Sequence, residues 1–104
     1  MREILLGNEK DFKIHKGKVV IIGDEEILIY RSINKFFAFK NECSHEKFSL
    51  DDGIVNEDRE SITCIHHGAK FDMSSGRVLS FPATSAIKVF DIFVKDKKVY
   101  IKID

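Results

Sequence analysis

The sequence predicts an all-β protein, a small antiparallel β sandwich or barrel base that carries a subdomain built largely of loops. Short runs rich in Val, Ile, Phe and Tyr recur at intervals of about ten residues, with turn residues between them. Helical periodicity is weak throughout the chain. Since 104 residues can bury one core and are too few for a second sizeable one, we expect a single domain over residues 1–104.

The first half of the chain predicts four short antiparallel strands. Glycines and polar residues, which favour turns, separate the apolar runs. The expected strands are Ile4–Leu6, Lys18–Ile22, Ile27–Arg31 and Phe36–Lys40.

The C-terminal segment predicts a half-buried strand. Val99, Ile101 and Ile103 alternate with more polar residues, which is the period of two that places one set of side chains on a single face. Its expected partner is Ile87–Val94, which returns through a turn at Lys95–Lys97.

The middle of the chain, residues 41–82, differs in kind from its flanks. It holds both cysteines, three of the four histidines and three of the six glycines. Only short strand-like pieces occur there, Gly53–Val55 and Ser61–Thr63. We therefore expect a functional site made of loops on a β base.

Charge and hydropathy exclude several classes of function. Seventeen basic and 17 acidic residues give a formal net charge of 0, which favours neither nucleic-acid binding nor attachment to an anionic membrane. The longest apolar runs have the length of a strand, well short of the roughly 20 residues of a membrane-spanning helix. The first residues hold only the apolar run Ile4–Leu6, too short for a signal peptide. We expect a soluble protein of the cytoplasm.

Two motifs carry the candidate chemistry, Cys43-Ser44-His45 and Cys64-Ile65-His66-His67-Gly68, and 18 residues separate His45 from Cys64. A disulfide does not require a histidine close to each cysteine, whereas metal coordination uses this pairing. Thiolates suit iron–sulfur clusters, and neutral imidazole binds iron without adding negative charge. The motifs therefore predict a mixed metal site of two cysteines and two histidines.

The pattern C-x-H followed by C-x-x-H-G resembles the cluster-binding signature of Rieske proteins. The resemblance extends over about 40 residues, beyond the ligands themselves. His67–Asp72 is similar to the family segment H-G-x-x-F/Y-D, and Asp72–Val78 is similar to the hairpin that follows it. Phe81–Ala83 resembles the proline-containing loop that covers the cluster in this family. The resemblance implies the Rieske fold, with a cluster-binding subdomain over residues 41–82.

The resemblance also implies one Rieske-type 2Fe-2S cluster and its ligands. Cys43 and Cys64 would bind the inner iron, and His45 and His67 the outer iron, so that electrons pass through the histidine edge. The neighbouring His66 is a competing ligand on sequence grounds, but the family spacing favours His67. Neutral imidazoles in place of two thiolates make the cluster easier to reduce than an all-cysteine cluster.

Two departures from the Rieske proteins of respiratory and photosynthetic complexes indicate a particular kind of cluster. Those proteins add a second pair of cysteines that forms a disulfide between the cluster loops, and this chain has no further cysteine. They also carry serine and tyrosine hydroxyls at the positions of Ala69 and Phe71, where they hydrogen-bond to sulfur. Without these donors we expect a reduction potential near the lower end of the Rieske range, around −150 mV.

The function that follows from the resemblance is that of a small ferredoxin with no catalytic residues, monomeric when free. It would carry single electrons from an NAD(P)H-dependent flavoprotein reductase to a terminal oxygenase or similar enzyme. One alternative is the small subunit of a nitrite-reductase-like enzyme, and another is a structural zinc site. An oxygenase catalytic subunit needs a further mononuclear iron site, and only His15 and His66 remain to supply it.

Overall fold

The computed structural model describes residues 2–44, 48–66, 68–81 and 85–103. Ten strands make up about half of these residues. A 3-10 helix, Glu9–Asp11, follows the first strand. The strands are β1 Arg2–Asn8, β2 Lys16–Ile22, β3 Glu25–Arg31, β4 Phe36–Lys40, β5 Ile54–Asn56, β6 Ser61–Thr63, β7 Lys70–Asp72, β8 Val78–Ser80, β9 Asp91–Lys95 and β10 Lys98–Ile103.

The strands form three antiparallel sheets. Two sheets of three strands have the orders β1-β10-β9 and β2-β3-β4, and a sheet of four strands has the order β5-β6-β7-β8. The predicted all-β antiparallel class is therefore confirmed. Within the described ranges, no helix has the length and apolarity needed to cross a lipid bilayer.

The sheet β2-β3-β4 lies between two apolar cores. Ile27 and Ile29 of β3 belong to a core shared with β10, whereas Leu28 and Tyr30 belong to a second core that also contains both cysteines. All four side chains are buried. A strand buried on both faces has a continuous apolar run rather than an alternating one, as this segment does.

The C-terminal hairpin agrees with the predicted alternation. Val99, Ile101 and Ile103 are buried, and β10 pairs with β9 on one side and with β1 on the other. Asp96 and Lys97 form the turn with φ of 52° and 63°, the left-handed conformation of a tight hairpin turn.

The predicted start of the partner strand at Ile87 is wrong, since β9 begins at Asp91. The backbone N–H of Ile87 donates to the carbonyl of Gly76, with 2.9 Å between the two atoms. Val89 forms an isolated bridge with Phe39 of β4. The residues from Ile87 to Val89 therefore contact the β7–β8 turn and β4, and the chain pairs with β10 only from Asp91 onwards.

Candidate metal centre

Two loops that begin at a cysteine are closed in the same way. In the first cysteine loop (residues 43–48), which lies between β4 and β5, the N–H of Cys43 donates to the carbonyl of Phe48 at 2.7 Å. In the second cysteine loop (residues 64–69), between β6 and β7, the N–H of Cys64 donates to the carbonyl of Ala69 at 2.8 Å. In both loops the acceptor lies five residues after the cysteine.

Both thiols lie in apolar surroundings. Cys43 and Cys64 are each 1% exposed, and the two are not joined in a disulfide. They share a core with Leu50, Ile62 and Phe71 among others. A thiolate in such surroundings requires a compensating cation, because burial of an isolated charge is costly. Bound iron would supply that charge, so the donor chemistry fits an iron–sulfur cluster.

The two predicted histidine ligands, His45 and His67, lie outside the described residues. Among the residues that the structure does describe, no group of three or more metal-binding side chains is assembled. The assignment of the full ligand set therefore remains a prediction.

Asn41, which the sequence analysis did not identify, braces the first cysteine loop. Its buried side chain accepts a hydrogen bond from the N–H of Leu50 at 2.9 Å. Its amide nitrogen donates to Glu26 and Asp51, both at 3.1 Å. The side chain thus spans the base of the loop from β4 to the residues before β5. An asparagine two residues before a cysteine carries no sequence signal for this role, because the role depends on residues up to 15 positions away.

Ser80 and Ser85, on either side of the predicted covering loop, contact the two cysteine loops. The hydroxyl of Ser44 donates to the carbonyl of Ser85. The hydroxyl of Ser80 donates to the carbonyl of Gly68, with 3.4 Å between the oxygens. Pro82 and Ala83, the core of the predicted covering loop, lie outside the described residues. The flanks of that segment are nevertheless placed against the site.

Gly68 is required by its backbone conformation. Its φ is +76°, in the left-handed region that residues with a side chain rarely adopt. A Cβ at this position would meet no atom within 4 Å in the structure. Strain in the backbone therefore disfavours a substitution here, rather than a steric clash with the rest of the chain.

Phe48 and His66 form a ring contact between the two loops. Their ring centroids are 4.0 Å apart and their planes differ by 19°. The Nε2 atom of His66 lies 4.0 Å from a carboxylate oxygen of Asp52. The side chain of His66, the alternative to His67 as a ligand on sequence grounds, thus contacts the connection between β4 and β5.

The aspartate of the His67–Asp72 segment organises the turn after β7. A carboxylate oxygen of Asp72 accepts hydrogen bonds from the N–H and hydroxyl of Ser74, at 2.8 and 2.6 Å, and from the N–H of Ser75 at 3.1 Å. Partial burial acts to raise the pKa of Asp72, but these hydrogen bonds outweigh it, so the pKa is lowered. The residue has a structural role in the hairpin that follows the second cysteine loop.

A polar contact links the far end of the β5–β6 hairpin to the sheet β2-β3-β4. Glu57 accepts a hydrogen bond from Tyr30 at 2.7 Å and lies 2.5 Å from the Nδ1 atom of His15. Hydrogen bonds to His15 and Tyr30 lower the pKa of Glu57. Burial, together with the bond to Glu57, raises the pKa of Tyr30. His15 is exposed but takes part in a contact 42 residues away along the chain, which sequence reasoning could not identify.

Comparison with known proteins shows a family match over most of the chain. The model of the Rieske [2Fe-2S] domain family matches residues 2–91. The ferredoxin subunit of a 3-phenylpropionate/cinnamic acid dioxygenase from Photorhabdus laumondii is 33% identical over 78 residues, which cover 75% of this chain and 73% of the relative.

Two solved structures extend the comparison to nearly the whole chain. The ferredoxin of carbazole 1,9a-dioxygenase from Nocardioides aromaticivorans superposes with a TM-score of 0.89 at 20% identity, over 97% of each chain. A chain from a complex of reduced oxygenase and oxidised ferredoxin of carbazole 1,9a-dioxygenase gives a TM-score of 0.84 at 27% identity, covering 98% of this chain and 97% of that one.

Proposed function

Because the chain belongs to the Rieske [2Fe-2S] domain family, we propose that it is a one-electron carrier whose cluster is held by Cys43, His45, Cys64 and His67. The cofactor of the family is a Rieske-type 2Fe-2S cluster, and this chain carries one. When bound, the cluster accepts and releases one electron at a time.

The single observation that carries the ligand assignment is the equivalence of the two cysteine loops. Each begins at a buried thiol shortly after a strand, Cys43 after β4 and Cys64 after β6, and each is closed by the N–H of that cysteine. Two thiols presented in the same way suit a cofactor that takes one thiolate from each loop.

The ring contact of His66 supports His67 as the fourth ligand. The His66 imidazole stacks on Phe48 and lies near Asp52, so it already has partners other than a metal. His67 has the family spacing and precedes Gly68, whose left-handed backbone turns the chain back towards β7.

The surroundings of the thiols support a potential near the lower end of the Rieske range. Ala69 and Phe71 are fully buried in the core that contains both cysteines, and neither has a hydroxyl that could donate to sulfur. Fewer donors leave the reduced cluster less stabilised. We expect around −150 mV rather than about +300 mV, to be measured by protein-film voltammetry. A potential well above 0 would contradict this.

The proposed electron-transfer pathway rests on the similarity of this chain to components of oxygenase systems. A ferredoxin subunit of a dioxygenase and a ferredoxin in complex with an oxygenase are both similar to this chain. We infer that this protein accepts electrons from a flavoprotein reductase and delivers them to a terminal oxygenase, as a monomer when free and in the cytoplasm. It would contribute no catalytic residue of its own. Stable co-purification with a large subunit would favour the reductase-subunit alternative instead.

Electron paramagnetic resonance of the dithionite-reduced protein tests the cofactor and its ligands together. A Rieske spectrum with a low average g is expected, because two imidazoles ligate one iron. The same measurement on the variants H45A and H67A should show that spectrum lost in both. A colourless protein with one bound zinc, or a spectrum retained in H67A, would overturn the proposal.

A further inference from the structure

We propose that the stacked rings of Phe48 and His66 hold the two cysteine loops at the separation that the cluster requires. The two residues are positioning residues that act on the ligands through the loops, and nothing in the inference requires them to bind iron. It rests on the proposed function in one respect, namely that each loop supplies two ligands.

The backbone around each ring is tied to the cysteine of its own loop. The carbonyl of Phe48 accepts the N–H of Cys43 at 2.7 Å, so the backbone that carries the Phe48 ring is tied to that cysteine. His66 lies two residues after Cys64, inside a turn in which the N–H of Gly68 donates to the carbonyl of Cys64 at 2.9 Å. A contact between the rings therefore couples the positions of the two cysteines.

The ring geometry is that of a favourable aromatic contact. The centroid separation of 4.0 Å and the angle of 19° describe a nearly parallel stack. Phe48 is 36% exposed and the His66 side chain 38%, so the stack is partly shielded from water. Aromatic pairs of this kind stabilise beyond the area that they bury.

The two loops need such a coupling because they belong to different sheets. The first cysteine loop follows β4 of the sheet β2-β3-β4, whereas the second lies within the sheet β5-β6-β7-β8. The chain contains two cysteines, and both are used as ligands, so no disulfide can join the loops. A preorganised pair of loops lowers the ordering cost of holding a cofactor between them.

Asp52 contributes less than the stack. Its carboxylate lies 4.0 Å from the imidazole of His66, and its side chain is 53% exposed. Exposed pairs at this separation have little effect on stability. The neutral variant D52N should therefore leave the loop contact in place.

The experiment measures how fast the oxidised holoprotein loses its cluster to an excess of an iron chelator, followed by the decay of visible absorbance. H66A and F48A should lose the cluster about 2- to 10-fold faster than the parent, as expected for the loss of one aromatic contact. The double variant F48A/H66A should be no faster than the faster single variant, because both remove the same contact.

Rescue and control variants identify the ring contact as the cause. H66F keeps an aromatic ring and should match the parent, whereas F48L keeps apolar volume without a ring and should resemble F48A. I65A removes an exposed apolar side chain from the second cysteine loop outside the stack, and it should match the parent, as should D52N. Additive effects in the double variant, or equal acceleration in I65A, would overturn the inference.

The electron paramagnetic resonance spectrum of each reduced variant separates this inference from the proposed function. A Rieske spectrum in H66F with an unchanged lifetime in H66A and F48A would refute the positioning role alone. Loss of the spectrum in H66F would instead identify His66 as a ligand and refute both. Far-UV circular dichroism checks the fold, and F48L provides the test if F48A fails to fold.

Discussion

The two cysteine loops have the same closing hydrogen bond but are supported by different means. The second loop lies in a hairpin whose flanking residues, Thr63 and Lys70, pair directly across the strands β6 and β7. The first loop joins two sheets, and no such pairing is available to a connection between β4 and β5. Its base is braced by the side chain of Asn41. A local hairpin thus positions one thiol, and long-range side-chain contacts position the other.

This difference indicates where each loop is vulnerable. The second loop depends on backbone conformation, above all at Gly68 with its φ of +76°. The first depends on one buried amide side chain and the backbone groups that it satisfies. Four predictions test this comparison, in order of decreasing effect.

The largest effect is expected from removing a thiol in either loop. C43A and C64A should each contain no cluster, because each removes a buried thiol that we propose as a ligand. Iron content and visible absorbance of the purified variants measure this. Retention of a Rieske spectrum by one of the two would show that the loops are not equivalent as sources of ligands.

The Asn41 side chain at the base of the first cysteine loop should contribute more to the free energy of unfolding than an ordinary surface hydrogen bond does. N41A leaves the buried N–H of Leu50 without its acceptor and should lower the free energy of unfolding by about 1–3 kcal/mol. Denaturant unfolding of the holoprotein measures the change.

N56A is the matched control, since Asn56 also accepts a backbone N–H, from Arg59 at 3.3 Å, in an exposed turn. Its effect should stay within about 0.5 kcal/mol. Equal losses in the two variants would show that Asn41 is no more than a turn residue.

The backbone of the second loop should respond to a side chain at Gly68. G68A introduces a Cβ at a left-handed φ and should cost about 1 kcal/mol of stability. It should also speed the loss of the cluster to a chelator, because the strain falls inside the second cysteine loop.

G23A provides the control, because Gly23 has a φ of +62° and equally open surroundings, in the turn between β2 and β3. It should cost similar stability while leaving the rate of cluster loss unchanged. Equal rates of cluster loss in the two variants would show that backbone strain at Gly68 does not affect how firmly the cluster is held.

The smallest effect is expected at the far end of the hairpin that leads to the second loop. The folded structure lowers the pKa of Glu57, so the ionised carboxylate stabilises the fold above its ordinary pKa of 4.5, and that contribution is lost as the pH falls below this value. The thermal midpoint should therefore fall less steeply with acidification in E57Q than in the parent.

E60Q is the matched control, because Glu60 lies in the same turn and pairs with Lys35 at 2.6 Å. The change in slope should be smaller in E60Q than in E57Q, because Glu60 pairs with one exposed lysine whereas Glu57 contacts both His15 and Tyr30. An E57Q variant with the same slope as the parent would show that the contact with His15 and Tyr30 does not contribute to acid stability.

Much of the fold was predictable because its signals are local. The run Phe36–Lys40 and the run Ser61–Thr63 coincide with β4 and β6, since apolar β-branched and aromatic residues between turns favour strands. The alternation in β10 also correctly identified its buried face. The start of β9 was misplaced because Ile87 is apolar for burial in the core that contains both cysteines, while its backbone bonds to Gly76 instead of pairing in the strand.

The sequence by itself determined the class of fold, the family and the candidate ligands, because residue type, period and short spacing are properties of neighbouring residues. The tertiary structure alone decided how the two cysteine loops are supported. Asn41 reaches Leu50 and Glu26, Phe48 stacks on His66, and Glu57 meets His15 across 42 residues. Such contacts depend on which strands pair and which faces pack, and no local pattern encodes them.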